Sequence, residues 1–192
     1  MPKTLDTIGG YGFRLRPITQ DDAAFVVELR TQLADTRYLH PISPDVEAQR
    51  QWIARYEQRA GDYYFIVEYE KDGAPEGTIG IYDEHDGAAE WGRWILRRNS
   101  LAAPASVALI YQYAFEKLGL QRLYCRTVAE NKSVVSFHAS TGLATSQPMM
   151  EKLFTLGGVA YDAVEQEVTS VTWPAVAKRL AMHAGFIAKK VA

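Results

Sequence analysis

The segment from Arg97 to Pro104 has the residue types that bind phosphate groups. Arg97 and Arg98 follow an apolar run and precede a helix whose first turn is indicated by Pro104. A strand that leads into a helix N-terminus presents unpaired backbone N–H groups, which together with the helix dipole favour an anion such as pyrophosphate. Two arginines nearby can add charge-assisted hydrogen bonds. The alternative is an ordinary connecting loop in which the arginines are solvated.

No residue pattern in the chain indicates a covalent nucleophile. No Ser-His-Asp or Cys-His arrangement stands out. The single cysteine, Cys125, lies in an apolar stretch, and we interpret it as a buried core thiol. A single cysteine also excludes an internal disulfide and a zinc site made of cysteines alone, and we expect no metal cofactor.

Composition narrows the class of protein further. The 192 residues suit one domain over 1–192, with 47% hydrophobic and 23% charged residues, as in an average soluble domain. With 21 basic and 23 acidic side chains, the chain has no basic excess for nucleic acid, and we expect no such partner. No apolar run approaches the roughly 20 residues of a membrane helix, and no signal peptide is visible. These features predict a cytoplasmic protein without membrane contact.

Hydrophobic periodicity predicts the element order β-α-α-β-β-β-α-β-α-β-β-α. A strand at 13–18 precedes helices at about 20–33 and from Ser43 to Gly61, with Ser43 as the N-cap of the second. Strands at 63–70, 77–82 and 88–96 follow, and their short turns predict an antiparallel meander.

The helix predicted at 104–118 is apolar on almost every side, so we expect it to be covered on most sides. A strand at 120–128 follows it and predicts one parallel crossover within a mostly antiparallel sheet. Next come a short helix at 133–141, a hairpin from 152 to 173 and a terminal helix from Pro174. The prediction is a mixed α/β (α+β) fold, with helices on both faces of its central sheet.

This order resembles that of the GNAT acyltransferase superfamily over about 13–173. The strongest stretch contains YAFEKLGL at 113–120, followed by Asn131, Ser133 and the pair Gly142-Leu143. In the family, a phosphate-binding turn of the form Arg/Gln-x-x-Gly-x-Gly/Ala precedes this helix. The turn falls on 98–103 here, where Arg98 and Ala103 match and Leu101 replaces a glycine. A glycine there would allow close approach of the backbone to phosphate.

Four further phrases resemble a bacterial subgroup that acetylates amino sugars in surface-glycan pathways. They are YYFIVE at 63–68, GTIGIYD at 77–83, WGRWIL at 91–96 and ENKSVVSFH at 130–138. The resemblance implies acetyl-CoA as co-substrate and a small-molecule amine as acceptor, with direct attack in a ternary complex. Two alternatives remain: an acetyltransferase for protein N-termini or side chains, and a non-catalytic CoA-binding or regulatory module. A homodimer is a further expectation.

By family position, Glu90 is the candidate general base and His138 the candidate acid that protonates the thiolate. Glu90 could instead be a solvated strand-edge carboxylate or a partner of Arg93, and His138 could be a packed core histidine. Asp83 and His85 are reserve candidates, although their turn position suggests surface roles. Strand alternation predicts two faces. One face holds Glu90, Gly92, Trp94 and Leu96, and the other holds Trp91, Arg93 and Ile95.

The resemblance also implies contacts to both substrates. Asn131 and Ser133 would contact CoA, and Asn131 would also suit the N-cap of the following helix. Phe137 would be core or a wall for pantetheine. The other predicted CoA-binding residues are Trp94, Ile95, Leu96, Arg97, Arg98, Asn99, Ser100, Leu101, Ala102 and Ala103. The predicted acceptor-binding residues are Tyr38, His40, Tyr82 and Trp91, which could otherwise be connector or core residues.

Overall fold

A computed structural model describes residues 5–191, and within this range the chain has nine strands and five α-helices. The strands are β1 (Ile8–Gly10), β2 (Phe13–Pro17), β3 (Tyr63–Tyr69), β4 (Pro75–His85), β5 (Ala88–Leu96), β6 (Arg122–Val128), β7 (Ala144–Thr145), β8 (Met150–Leu156) and β9 (Val159–Thr169). The helices are α1 (Ala23–Glu28), α2 (Val46–Tyr56), α3 (Ala103–Gln112), α4 (Lys132–Thr141) and α5 (Trp173–Val191). Two π-helical turns, Leu29–Leu33 and Tyr113–Lys117, extend α1 and α3.

The strands form one mixed sheet in the order β1-β2-β3-β4-β5-β6-β9-β7, with β8 also paired to β9. All neighbouring pairs are antiparallel except β5 and β6, which are parallel and connected through α3. The predicted fold class, including the single parallel crossover, is confirmed.

The structure differs from the predicted elements in the bounds of one helix and in two additional short strands. The helix predicted from Ser43 begins at Val46, because the Asp45 carboxylate accepts the N–H groups of Glu47 and Ala48 and forms the N-cap. That helix ends at Tyr56, before the predicted Gly61. The short strands β1 and β7 were not predicted, because three and two residues are too few for a periodic pattern.

Strand β3 shows how the sheet separates two hydrophobic cores. Phe65 and Val67 pack on the side of α3 and α5, whereas Tyr64 and Ile66 pack on the side of α1 and α2. Both faces are therefore covered by helices, as predicted. The α3 helix is buried from Ala105 to Tyr111, which explains its almost uniformly apolar sequence.

A bulge in β5 changes the faces of the residues that follow it. Gly92 lies opposite Gly80 and Ile95 opposite Thr78, so three steps along β5 oppose two along β4. As a result the rings of Trp91 and Trp94 lie on one side, 5.7 Å apart. The prediction of strict alternation, which placed them on opposite faces, is wrong because it assumes a ladder without a bulge.

Strands β5 and β6 pair only where they begin. The parallel register runs from Ala88↔Arg122 to Glu90↔Tyr124, and beyond it β5 stays with β4 while β6 stays with β9. The two strands therefore separate after Glu90, within an otherwise continuous sheet.

The buried hydrogen bond between Trp91 and Tyr111 gives a test of the packing between β5 and α3. The Trp91 indole N–H donates to the Tyr111 hydroxyl at 2.8 Å, and both side chains are fully buried. We expect Tyr111→Phe to lower the free energy of unfolding by about 1–3 kcal/mol in urea denaturation, because the indole N–H loses its acceptor. Tyr161→Phe, at a half-buried ring whose hydroxyl has no hydrogen bond within residues 5–191, should change it by less than about 0.5 kcal/mol. Equal effects of the two substitutions would contradict this packing.

Candidate active site

The separation of β5 and β6 opens a cavity of about 480 Å³. Residues from Glu90 to Ile95 form one side, and residues from Cys125 to Val128 form the other. A second cleft of about 410 Å³ continues along β5 to the N-terminus of α4. The two cavities share six residues: Tyr38, Leu39, Trp94, Ile95, Asn131 and Val134.

Glu90 lies at the vertex of the two strands and lines the first cavity. Its side chain accepts hydrogen bonds from Arg126 Nη1 at 3.0 Å and from the Tyr82 hydroxyl at 3.3 Å. Burial raises the pKa of Glu90 above its usual value, and the Arg126 charge offsets part of that effect. A buried carboxylate that faces a cavity with a raised pKa can accept a proton from a bound group.

Arg126 is held by a second carboxylate behind the cavity. Its Nε donates to Glu165 Oε2 at 3.0 Å, and Arg122 also donates to Glu165, at 2.7 Å. Burial alone would raise the pKa of Glu165, but hydrogen bonds from Ser146 and the two arginines outweigh burial and lower it. Glu165 is therefore ionised and fixes the position of the Arg126 guanidinium beside Glu90.

Sequence reasoning missed Arg126 and suggested Arg93 as the partner of Glu90. Arg93 instead pairs with both carboxylate oxygens of Asp62, at 2.5 and 3.0 Å. Its guanidinium also lies over the ring of Tyr82, 4.7 Å from the centroid. The available signal for the Arg126 network was the even spacing that places Arg122 and Arg126 on one face of β6 and two glutamates, Glu165 and Glu167, on one face of β9.

His138 is enclosed by aromatic rings. It is 1% exposed, and its ring centroid lies 5.2 Å from that of Trp91 and 5.5 Å from those of Trp94 and Phe137. Burial lowers the pKa of His138 to about 4, and within residues 5–191 its Nδ1 has no hydrogen-bond partner. The ring is therefore neutral at neutral pH. It can donate a hydrogen bond from a neutral N–H, and it is not an imidazolium acid there.

The predicted coenzyme residues fall into two groups. Trp94, Ile95, Leu96, Asn131 and Ser133 line the second cleft. Phe137 stacks on Trp94 at 5.7 Å, outside the lining of both cavities. Asn131 occupies the N-cap position of α4, but its side-chain oxygen accepts the Ser133 hydroxyl at 3.0 Å and no backbone N–H.

The predicted phosphate turn, 98–103, and Arg97 before it lie beyond the end of the second cleft and outside its lining. Asn99 has a positive φ of 64°, whereas Leu101 does not, so the backbone at 101 does not require glycine. The Leu101 side chain is exposed on this turn. Ser100 accepts the N–H of Ala102 at 3.2 Å, and Ala103 begins α3. Arg98 is exposed, while the Nε of Arg97 is buried.

All four predicted acceptor residues line the first cavity. They are Tyr38, His40, Tyr82 and Trp91. The cavity also contains Arg30, Trp52 and Tyr64, which sequence reasoning missed because they come from elements distant in the chain. The reserve candidates Asp83 and His85 are exposed and do not line it.

Residues 5–191 contain neither a candidate metal site nor a candidate membrane helix. No cluster of three or more His, Cys, Asp or Glu side chains could hold a metal ion. No helix in this range combines the length and apolar character needed to cross a membrane.

The fold and site define an acetyltransferase of the GNAT class, and the comparisons agree. The model of the acetyltransferase (GNAT) domain matches residues 13–144. Because this match covers more than half of the chain, the chain belongs to the GNAT family and is an acyl-CoA-dependent N-acetyltransferase. Members of this family use acetyl-CoA as co-substrate.

Solved structures show the same fold at low sequence identity. FdhC, a nucleotide-linked sugar GNAT, is 24% identical with a TM-score of 0.74 over 96% of this chain and 99% of that one. A GCN5-related N-acetyltransferase from Brucella melitensis is 19% identical with a TM-score of 0.77, over 95% and 86%. A mutant of the Vibrio cholerae spermidine N-acetyltransferase SpeG is 15% identical with a TM-score of 0.72, over 85% and 97%. No curated protein matched the sequence.

The low pKa of His138 predicts how stability depends on pH. Below pH 6.5 an unfolded chain binds a proton at this histidine, whereas the folded chain does so only near pH 4, so stability falls as the pH drops through this window. Between pH 7 and pH 5 we expect a loss of about 2 kcal/mol from this group, measured by urea denaturation.

His138→Phe should remove that part of the pH dependence, because phenylalanine suits the aromatic surroundings and does not titrate. His85→Asn, at an exposed position, is the matched control and should keep it. The same pH dependence in wild type and His138→Phe would show that the buried ring is not neutral in the folded protein.

Proposed function

We propose that the chain transfers the acetyl group of acetyl-CoA to the primary amine of an amino sugar or sugar nucleotide, by direct attack in a ternary complex. The observation that carries this proposal is the position of Glu90. It is a buried carboxylate at the vertex of the separating strands, facing an aromatic cavity that opens into a cleft along β5.

The second cleft suits the pantetheine arm of the coenzyme. Beyond Glu90 no strand of residues 5–191 pairs with the β6 side of β5, so the backbone of Trp94 to Leu96 can pair with the pantetheine amides in the manner of an added strand. The cleft runs toward the 97–103 turn, where Arg97, Arg98 and the α3 N-terminus suit the coenzyme phosphates.

The chemistry then requires few protein groups. The amine nitrogen attacks the thioester carbonyl carbon, and Glu90 accepts the proton that the nitrogen loses. The carbon–sulfur bond breaks, and the CoA thiolate leaves and takes up a proton. The neutral His138 ring lines the same cavity and suits a hydrogen bond to the thioester or to the leaving sulfur.

The walls of the first cavity favour a sugar over a peptide or a polyamine. Trp52, Tyr64, Tyr82 and Trp91 offer ring surfaces that can pack against the C–H face of a pyranose. The lining contains one carboxylate, Glu90, which is paired with Arg126, and it contains Arg30, which has no carboxylate partner within residues 5–191. A protein or polyamine acetyltransferase would instead benefit from an acidic acceptor groove, because its substrates are cationic.

The proposal is tested by measuring CoA thiol release with a panel of acceptors. The panel contains nucleotide-linked amino sugars, free amino sugars, spermidine and peptides with free N-termini. We expect the highest kcat/KM with an amino sugar or its nucleotide, by at least about 10-fold over spermidine, because like charges oppose a polyamine in this cavity. A preference for spermidine or a peptide would contradict the proposed acceptor.

A thermal-shift measurement with acetyl-CoA tests whether the coenzyme binds where the 97–103 segment is proposed to hold its phosphates. Stabilisation at millimolar acetyl-CoA follows from linkage if the coenzyme binds the folded state. Arg98→Gln should weaken this stabilisation, whereas Arg50→Gln, on the exposed face of α2, should not. Stabilisation without turnover of any acceptor would support the regulatory alternative.

A further inference from the structure

Arg30 differs from the other arginines that line the first cavity, because it has no carboxylate partner within residues 5–191. Arg93 and Arg126 each pair with carboxylates at 2.5 to 3.0 Å. Arg30 donates from Nη2 to the backbone carbonyl of His40 at 2.7 Å, and its Nε is buried without a hydrogen-bond partner in this range. The cavity therefore contains a guanidinium whose charge is not balanced by the protein.

Arg30 is half-buried, and a partly desolvated charge without a carboxylate partner is costly, so its retention needs an explanation. Burial lowers the pKa of Arg30 below its usual value. Burial acts in the same direction on Arg93, but there the Asp62 carboxylate outweighs it and raises the pKa. This contrast agrees with the geometry, in which no carboxylate of residues 5–191 pairs with Arg30, and an anionic ligand would supply the missing negative charge.

The position of Arg30 assigns that anion to the acceptor and not to the coenzyme. Arg30 lies in the π-helical turn Leu29–Leu33 that extends α1. It lines the cavity that contains Glu90 and the rings of Trp52 and Tyr64, and it is not part of the cleft along β5. An acceptor whose amine reaches Glu90 could therefore place an anionic group at Arg30.

We propose that Arg30 binds a phosphate group of the acceptor, so that the substrate is an amino sugar esterified with phosphate at its anomeric carbon. This inference rests on the proposed function. Guanidinium pairs with phosphate through two parallel hydrogen bonds, and the anomeric oxygen is where sugars carry phosphate or a nucleoside diphosphate. A phosphate at the guanidinium would balance the charge of Arg30.

The test compares acceptors that share one amine. The best amino sugar of the acceptor panel is used as its 1-phosphate, its nucleoside diphosphate ester and its methyl glycoside. Wild type should favour the two phosphorylated forms over the methyl glycoside by about 10- to 100-fold in kcat/KM, mainly through KM. The ratio between the monoester and the diphosphate ester identifies which phosphate source is used.

Two substitutions at Arg30 and one at Arg98 distinguish the acceptor site from the coenzyme site. Arg30→Gln should remove the preference for phosphorylated acceptors and leave the KM for acetyl-CoA unchanged, while Arg30→Lys should retain part of the preference. Arg98→Gln should have the opposite pattern, with a raised KM for acetyl-CoA and an unchanged acceptor preference. Arg30→Gln should keep the thermal stability of wild type, because Arg30 is half-buried and makes no ion pair within residues 5–191.

The results distinguish this inference from the function on which it rests. The role of Arg30 would be overturned if wild type and Arg30→Gln had the same preference for phosphorylated acceptors, or if Arg30→Gln raised the KM for acetyl-CoA. Either result would leave amino-sugar acetylation intact. Turnover of spermidine or peptides alone would overturn both. A loss of stability in Arg30→Gln comparable to that of a core substitution would show a structural arginine instead.

Discussion

The ion pair between Glu90 and Arg126 is the interaction on which the site depends. It joins β5 to β6 where the two strands stop pairing, so it closes the vertex of the cavity that their separation opens. Glu165 accepts a hydrogen bond from Arg126, and Glu90 accepts one from the Tyr82 hydroxyl. The carboxylate is thereby fixed, partly desolvated and still accessible from the cavity, which are the properties that a general base needs.

The bulge in β5 supplies a second feature of the site, an aromatic wall beside Glu90, the proposed base. Because three β5 steps oppose two of β4, Trp91 and Trp94 lie on one side and pack around His138. The same irregularity leaves the Arg93 side chain with Asp62 and the Tyr82 ring. Gly92 is needed in this arrangement, since a Cβ there would lie only 2.4 Å from the Tyr82 hydroxyl.

Sequence periodicity predicted the helices, the meander and the parallel crossover, because these follow from local patterns of apolar residues. Tyr38, His40, Tyr82 and Trp91 were predicted to contact the acceptor, on their residue types and not on periodicity, and all four line the first cavity. Periodicity could not predict the bulge, which is a property of the register between two strands.

The partner of Glu90 could not be predicted from the sequence for a related reason. Arg126 is 36 residues away along the chain and meets Glu90 only through the crossover that α3 makes. Arg30 and Trp52 were missed because their place in the cavity follows from how α1 and α2 pack on the sheet. Nothing in the local sequence marks either residue as different from a surface arginine or a core tryptophan.

The pH dependence of kcat/KM for acetyl transfer tests the central claim most directly. Because Arg126 lowers the pKa of Glu90, Arg126→Gln should move the acidic limb of the profile to higher pH. Glu90→Gln should remove that limb and lower the rate by about 100-fold or more, whereas Glu84→Gln, at an exposed position of β4, should leave the profile unchanged. An acidic limb that stays in place in Arg126→Gln and persists in Glu90→Gln would contradict the assignment of Glu90 as the base.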